Sequence, residues 1–246
     1  MKILFNSIMP YFLSNKNLTL NREVEIAGEE ARHILLAHRI KKGEKIKLQG
    51  PNQERYLVEI VDIGRNSLTI KPLEQITVPV EPSTVITLFQ SVVSEKALDF
   101  IFQKGTELGL NKIVLFNSKN TATKLSSDGF KKKQERWNKI LIEAAKQCER
   151  VKWPELEFVQ DVSGVLLKAR DYDKMFLADI GGEKLQTTHY KLQTLALIIG
   201  PEGGFTPDEV SQFKLLPNVQ AISFGPILLR AETAALAGLV ALRLIN

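Results

Sequence analysis

Between Leu195 and Val210 the chain reads LALIIGPEGGFTPDEV. An apolar run gives way to three glycines, a proline and a glutamate within Gly200–Gly204, and then to Thr206-Pro207-Asp208-Glu209. Those last four residues are a helix start. Thr206 supplies an N-cap oxygen, Pro207 suits the first helical position, and Glu209 is placed to close a capping box. A buried strand that turns straight into a helix points to an α/β layer with a largely parallel sheet, because parallel neighbours need a crossover between them.

The same alternation runs through residues 84–246. TVITLFQSVV (Thr84–Val93) reads as a buried strand, and SEKALDFIFQKGTELG as a helix capped by Ser94, with Leu98, Ile101, Phe102, Gly105 and Leu108 on one face. KIVLF (Lys112–Phe116) is a strand. QERWNKILIEAAKQCER is a helix with an apolar stripe from Trp137 to Cys148. MFLAD (Met175–Asp179), LALIIG (Leu195–Gly200) and QAISFG (Gln220–Gly225) are further strands, and a last helix starts near Arg230. Residues 1–75 differ. REVEIAG, EKIKLQG, RYLVEIVDIG and SLTIKPL show partial period-two alternation around one helix, GEEARHILLAHRIKKG, with Ile34, Leu35 and His38 on one face. They predict a small β-rich domain, and Pro72–Ser83, with three prolines, a linker.

Ligands of open α/β sheets gather outside the carboxyl ends of the strands. The first strand here passes into its helix as QSVVSEKAL, without glycine, which argues against a dinucleotide fold. The last three strands end in DIGG (Asp179–Gly182), GPEGG (Gly200–Gly204) and FGP (Phe224–Pro226). Glycine lets a ligand approach the main chain. One such turn is most simply structural; three on one sheet edge mark a pocket. No G-K-[ST] follows, and Glu202 sits in the loop, so the pocket suits a neutral or cationic ligand rather than a phosphate. Arg230 and Glu232, where the last strand meets its helix, either cap the helix or act on a substrate.

Net charge is +5, but its placement carries more than its size. Residues 119–152 hold ten Lys/Arg against four Asp/Glu, with Trp137 among them. This fits a polyanion such as nucleic acid as well as it fits a solvated helix face. No apolar run approaches the roughly 18–20 residues of a membrane span, and the N-terminus does not read as a signal peptide. The lone Cys148 cannot form an internal disulfide, and three histidines with one cysteine leave no zinc cluster.

IIGPEGGFTPDEV together with FGPILLRAETAA resembles the RsmE family of 16S rRNA uridine-N3 methyltransferases, in the SPOUT superfamily. FQKGTELGL (Phe102–Leu110) and EAAKQCERVKWPEL (Glu143–Leu156) resemble two further family motifs, in order, so that the likeness spans nearly the whole chain. The resemblance implies a trefoil-knotted parallel-sheet α/β methyltransferase domain over 76–246 and an N-terminal PUA-like β-barrel RNA-binding domain over 1–75. It implies S-adenosylmethionine as cofactor, 16S rRNA in the small ribosomal subunit as substrate, homodimers, a cytoplasmic site of action, and neither membrane nor metal.

The resemblance places the cofactor on Ala178, Ile199, Gly200, Pro201, Glu202, Gly203, Gly204, Phe224, Gly225, Ile227, Leu228, Leu229 and Thr233. It makes Arg230 the group that stabilises a uridine anion, and Glu202 or Glu232 the base or the residue orienting the cofactor. Arg32, Arg39, Lys104, Lys131, Lys132, Lys133, Arg136 and Arg150 are the expected RNA contacts. Two positions depart from the family pattern: Ile227 and Pro10 stand where arginines are usual, and residues 1–8 read as an extension. Ribose 2′-O-methylation and non-catalytic RNA binding in ribosome assembly are the alternative activities.

Overall fold

The structure, a computed structural model, describes residues 11–38, 40–184 and 192–244. Pro10, Arg39 and residues 1–8 lie outside the described residues, as does the side chain of His38. Contacts divide the chain into two units: Met1–Val80 with Ala145–Lys152, and Glu81–Ala144 with Trp153–Asn246.

The first unit holds β1 (Tyr11–Leu13), β2 (Val24–Ala27), α1 (Glu29–His38), β3 (Lys45–Gln49), β4 (Arg55–Ile63) and β5 (Ser67–Ile76). They form one sheet in the order β1-β3-β4-β5-β2, antiparallel except for β1 beside β3. Period-two alternation is visible in β4 and β5, where Val58, Ile60, Leu68 and Ile70 are buried and pack with Ile34 of α1. Pro72–Ile76, expected at the start of a linker, instead belongs to β5. Pro72 sits opposite Val58 where the register shifts, a place where a ladder tolerates a residue with no N–H. The segment Ala145–Lys152 packs into this unit. Tyr11 Oη donates to the Arg150 carbonyl (2.5 Å), Gln49 Nε2 donates to the Val151 carbonyl (3.0 Å), and Lys47 pairs with Glu149 (2.6 Å). The buried Arg55 guanidinium lies 3.7 Å from the centre of the Tyr11 ring.

The second unit is a six-stranded, wholly parallel sheet in the order β11-β9-β10-β6-β7-β8. Its strands are β6 (Val85–Ser91), β7 (Lys112–Asn117), β8 (Glu155–Asp161), β9 (Lys174–Lys184), β10 (Thr194–Ile199) and β11 (Val219–Ser223). Its helices are α2 (Glu95–Glu107), α3 (Ser127–Gln147, which ends in the first unit), α4 (Val162–Lys168), α5 (Pro207–Lys214) and α6 (Ala231–Leu244). β10, late in the chain, lies between β9 and β6, and its Leu195–Ile199 run is buried. One face of the sheet packs with α2, α3 and α6 through Ile101, Phe102, Trp137 and Leu239. The other packs with α4 and α5 through Val165 and Phe213. Gly238 of α6 allows close packing: a Cβ there would fall 2.5 Å from Leu197 Cδ2.

Candidate functional site

A cavity of about 630 Å³ opens at the carboxyl ends of β9, β10 and β11, against the starts of α2 and α6. Each strand end leaves the ladder differently. Along β9 the pairing jumps from Ala221↔Leu177 to Ile222↔Glu183, so that 178–182 have no partner in the β11 ladder. After β10 the turn Gly200–Gly204 needs Gly204 at φ 68°. After β11, Gly225 takes φ 110°, with its N–H donating to Ser223 Oγ (3.3 Å).

The turn after β10 is held from several sides. Thr206 and Glu209 make the capping box of α5, and the Glu209 carboxylate, 3% exposed, also accepts from the Lys119 backbone N–H (2.8 Å). Asn120 Nδ2 donates to the carbonyls of Gly203 (3.2 Å) and Gly204 (3.1 Å). The Phe205 ring stacks on Phe116 and meets Phe213 edge-on. Glu202 Oε1 accepts from the Ser94 N–H (3.2 Å) at the start of α2, where a carboxylate complements the helix dipole.

Of the expected cofactor residues, Ala178, Ile199, Gly200, Pro201, Glu202, Gly204, Phe224, Gly225, Ile227, Leu228 and Leu229 line the cavity. Gly203 and Thr233 do not: Gly203 packs against Asn120, and Thr233 is exposed. Arg230 and Glu232 both line it, and among the described residues neither charged end has a hydrogen-bond or ion-pair partner. Ile227 and Leu228 are 77% and 76% exposed at its wall. Residues missed by the sequence reading include Ser94, Asp179, Ile180 and Phe205. Asp179, paired with Lys214 (3.3 Å), belongs to the DIGG strand end, a signal that points to it; Ser94 arrives only because β6 lies beside β10.

The expected RNA contacts scatter. Arg32, Lys131 and Lys132 are exposed. Lys104 pairs with Glu107, Lys133 with Glu95, and Arg136 with Glu95 and Asp99. Those hydrogen bonds hold the Glu95 carboxyl below its usual range. Arg150 is 8% exposed and so does not present a surface phosphate contact. Arg39 lies outside the described residues. Among the described residues, no three of His, Cys, Asp and Glu are grouped to hold a metal ion, and no helix is long and apolar enough to cross a membrane.

A parallel sheet whose late strands end in glycine turns around one cavity is the architecture of an α/β enzyme, and the relatives of the chain narrow the class. Residues 80–243 match the family model for the RNA methyltransferase domain, and the chain belongs to that family. It is similar to ribosomal RNA small subunit methyltransferase E of Mesomycoplasma hyopneumoniae, 33% identical over 183 residues (74% of this chain, 78% of that one). The same-named protein of Rickettsia conorii is 29% identical over 246 residues, covering 94% of each chain. The crystal structure of ribosomal RNA small subunit methyltransferase E from Neisseria gonorrhoeae bound to S-adenosyl methionine superposes with a TM-score of 0.83. It is 28% identical, covering 96% of this chain and 97% of that one.

Proposed function

We propose that the protein methylates N3 of a uridine near the 3′ end of 16S rRNA, in the small ribosomal subunit, with S-adenosylmethionine as methyl donor. The observation that carries the reading is the cavity at the ends of β9–β11 with Arg230 and Glu232 on its wall, neither paired among the described residues. Its volume lies within the ~300–1,000 Å³ of small-molecule sites. The glycine turns offer bare backbone, Ile180, Ile227 and Leu228 offer apolar surface, and the carboxylates of Glu202 and Glu232, against the Arg230 guanidinium, favour a cationic ligand. This set of groups fits a nucleoside carrying a sulfonium, which supplies an electrophilic methyl group when bound.

The turn Gly200–Gly204 and the stretch Phe224–Leu229 hold the cofactor. The uridine N3–H is a weakly acidic imide and becomes a nucleophile once it loses its proton. Glu232 takes that proton and Arg230 stabilises the resulting anion. Glu202 keeps a positioning duty, since its carboxylate is engaged at the start of α2. Exposed Arg32, Lys131 and Lys132 grip phosphates, contacts that position RNA without reading sequence. We assign residues 1–75 a PUA-like RNA-binding role and 76–246 a trefoil knot and homodimer formation. The central placement of the late strand β10 supports the knot, and exposed Val240 and Leu244 on α6 support the dimer. The reaction belongs in the cytoplasm.

The test is rRNA from a strain lacking the gene. N3 methylation blocks Watson–Crick pairing, so reverse transcriptase stops at the modified uridine in wild type and reads through in the deletion strain. An unchanged stop pattern refutes the reading.

A further inference from the structure

The larger cavity leaves a second one unexplained, at the ends of β7 and β8. It encloses about 330 Å³ between the loop after β7, the start of α4, and α5. Asn117, Ser118 and Glu209 line it and are 4%, 2% and 3% exposed. Their polar atoms are already engaged: Asn117 Nδ2 donates to the carbonyls of Leu125 and Gln160, and Glu209 accepts from Lys119 and Thr206. The exposed lining is different. The side-chain ends of Lys124, Gln160, Ser163 and Gln212 make no hydrogen bond among the described residues.

The charge balance selects the ligand. Lys119 and Lys124 are matched by Asp161 and Glu209, and Lys119 is further drawn to Asp208 (3.4 Å). A bare phosphate is best held by unopposed cations, which this cavity lacks. Two uncommitted primary amides and a hydroxyl instead suit a planar group with its own donors and acceptors. A nucleobase edge is such a group, and single-stranded RNA is commonly read by splaying bases out and hydrogen-bonding their edges. The exposed Lys124 then stands beside the adjoining phosphate.

The cavity shares structure with the larger site. Glu209 belongs to its lining and also closes the capping box of α5, directly after the Gly200–Gly204 turn. Asn120, in the same loop as Ser118 and Lys119, donates to the carbonyls of Gly203 and Gly204. We infer that the second cavity is a base-binding subsite for a nucleotide flanking the methylated one, coupled through Glu209 and Asn120 to the turn that walls the cofactor cavity. The inference rests on the rRNA methyltransferase reading. By linkage, RNA in the subsite and cofactor in the larger cavity tighten each other by the same factor.

The test uses the full chain with 16S rRNA, naked and in small subunits, from a strain lacking the gene. RNA affinity is measured by filter binding, and S-adenosylhomocysteine affinity by calorimetry with and without RNA. The variants are Lys124→Ala and the pair Gln160→Ala with Gln212→Ala; all three residues are exposed, and melting curves check folding. The amide pair is expected to weaken RNA binding about tenfold or more, keep wild-type cofactor affinity without RNA, and lose the RNA-induced tightening. Lys124→Ala is expected to lower RNA affinity and reduce the salt slope by roughly one counterion. Wild-type RNA affinity in the amide pair overturns the subsite and leaves the methyltransferase reading standing. Weakened RNA binding with the tightening intact overturns the coupling. Failure of the wild-type protein to bind either form of the RNA overturns both readings.

Discussion

The adjacent glycines Gly181 and Gly182 give a paired prediction, because the structure treats them oppositely. A Cβ on Gly182 would lie 2.5 Å from the Ile222 carbonyl carbon, 2.6 Å from its nitrogen and 2.8 Å from the Ala221 carbonyl carbon. Those are main-chain atoms of β11, so no side-chain rotation relieves the clash, and the register step between β9 and β11 sits at the same place. Small-to-large changes in packed surroundings cost ~1–3 kcal/mol, and a backbone obstacle puts Gly182→Ala at the upper end. About 3 kcal/mol is roughly a hundredfold in the folding equilibrium and lowers Tm by ~6–12 °C in a unit of this size. Gly181→Ala meets only Asp179 Oδ2 at 3.8 Å, an ordinary contact, and stays within about 0.5 kcal/mol of wild type. Differential scanning calorimetry reads both. Titration with S-adenosylhomocysteine adds a second readout, since Ala178, Asp179 and Ile180 form part of the cavity wall. Equal melting temperatures for the two variants would refute the packing argument.

Other perturbations act on named contacts. Burial pushes the Tyr11 hydroxyl up to about 12, with Arg55 partly opposing it. A raised folded-state pKa means that this stabilisation is complete below the ordinary tyrosine value of ~10 and is lost as pH rises through the folded one. Urea midpoints should therefore fall between roughly pH 10 and 12. Tyr11→Phe should flatten that limb, leaving the residual slope of Tyr56 and Tyr172, which burial also raises. Thr206→Ala removes the α5 N-cap and should cost ~1 kcal/mol, read by thermal melting. Arg230→Ala should abolish methyl transfer while sparing cofactor affinity; near-normal turnover would remove its assigned role. Glu232→Gln should lower kcat, whereas Glu202→Gln, which keeps an oxygen for the Ser94 N–H, should leave kcat near wild type.

Local chemistry made parts of the fold legible. The capping box at Thr206 and Glu209, the Ser94 N-cap and the buried β10 run are all specified by residues within a few positions of each other. What escaped was set by partners distant in sequence. β8, ELEFVQD, is an edge strand with no fully buried residue, so it carries no apolar run, and α4 follows it at once from an Asp161 cap. β1 is three residues long and is a strand because β3 lies beside it. The basic surplus of 119–152 read as free charge, yet Lys133 and Arg136 are held by carboxylates of α2, a helix-to-helix pairing that no spacing along the chain announces. Gly200, Gly204 and Gly225 meet at one cavity because strand ends are local features that the sheet gathers on one edge, whereas Gly181 and Gly182 do not line it and, of DIGG, only Asp179 and Ile180 do.

The turn after β10 has the character of a prepared surface rather than a closing lid. It contains φ-restricted Pro201 and is followed by Pro207, and its carbonyls at Gly203 and Gly204 are taken by Asn120. Its Phe205 is lodged between Phe116 and Phe213, and its carboxylate is tied to α2. Each restraint comes from a different element, so ordering the turn is a cost met during folding and not at the binding step, which raises affinity without adding a contact. Arg230 and Glu232 are arranged oppositely, their charged ends without a partner among the described residues at the wall of the same cavity. For the proposed methyl transfer, rigid backbone beside unneutralised charge is a suitable division of labour. The donor must be fixed in position, while the groups that meet the nucleophile must remain unneutralised until it arrives.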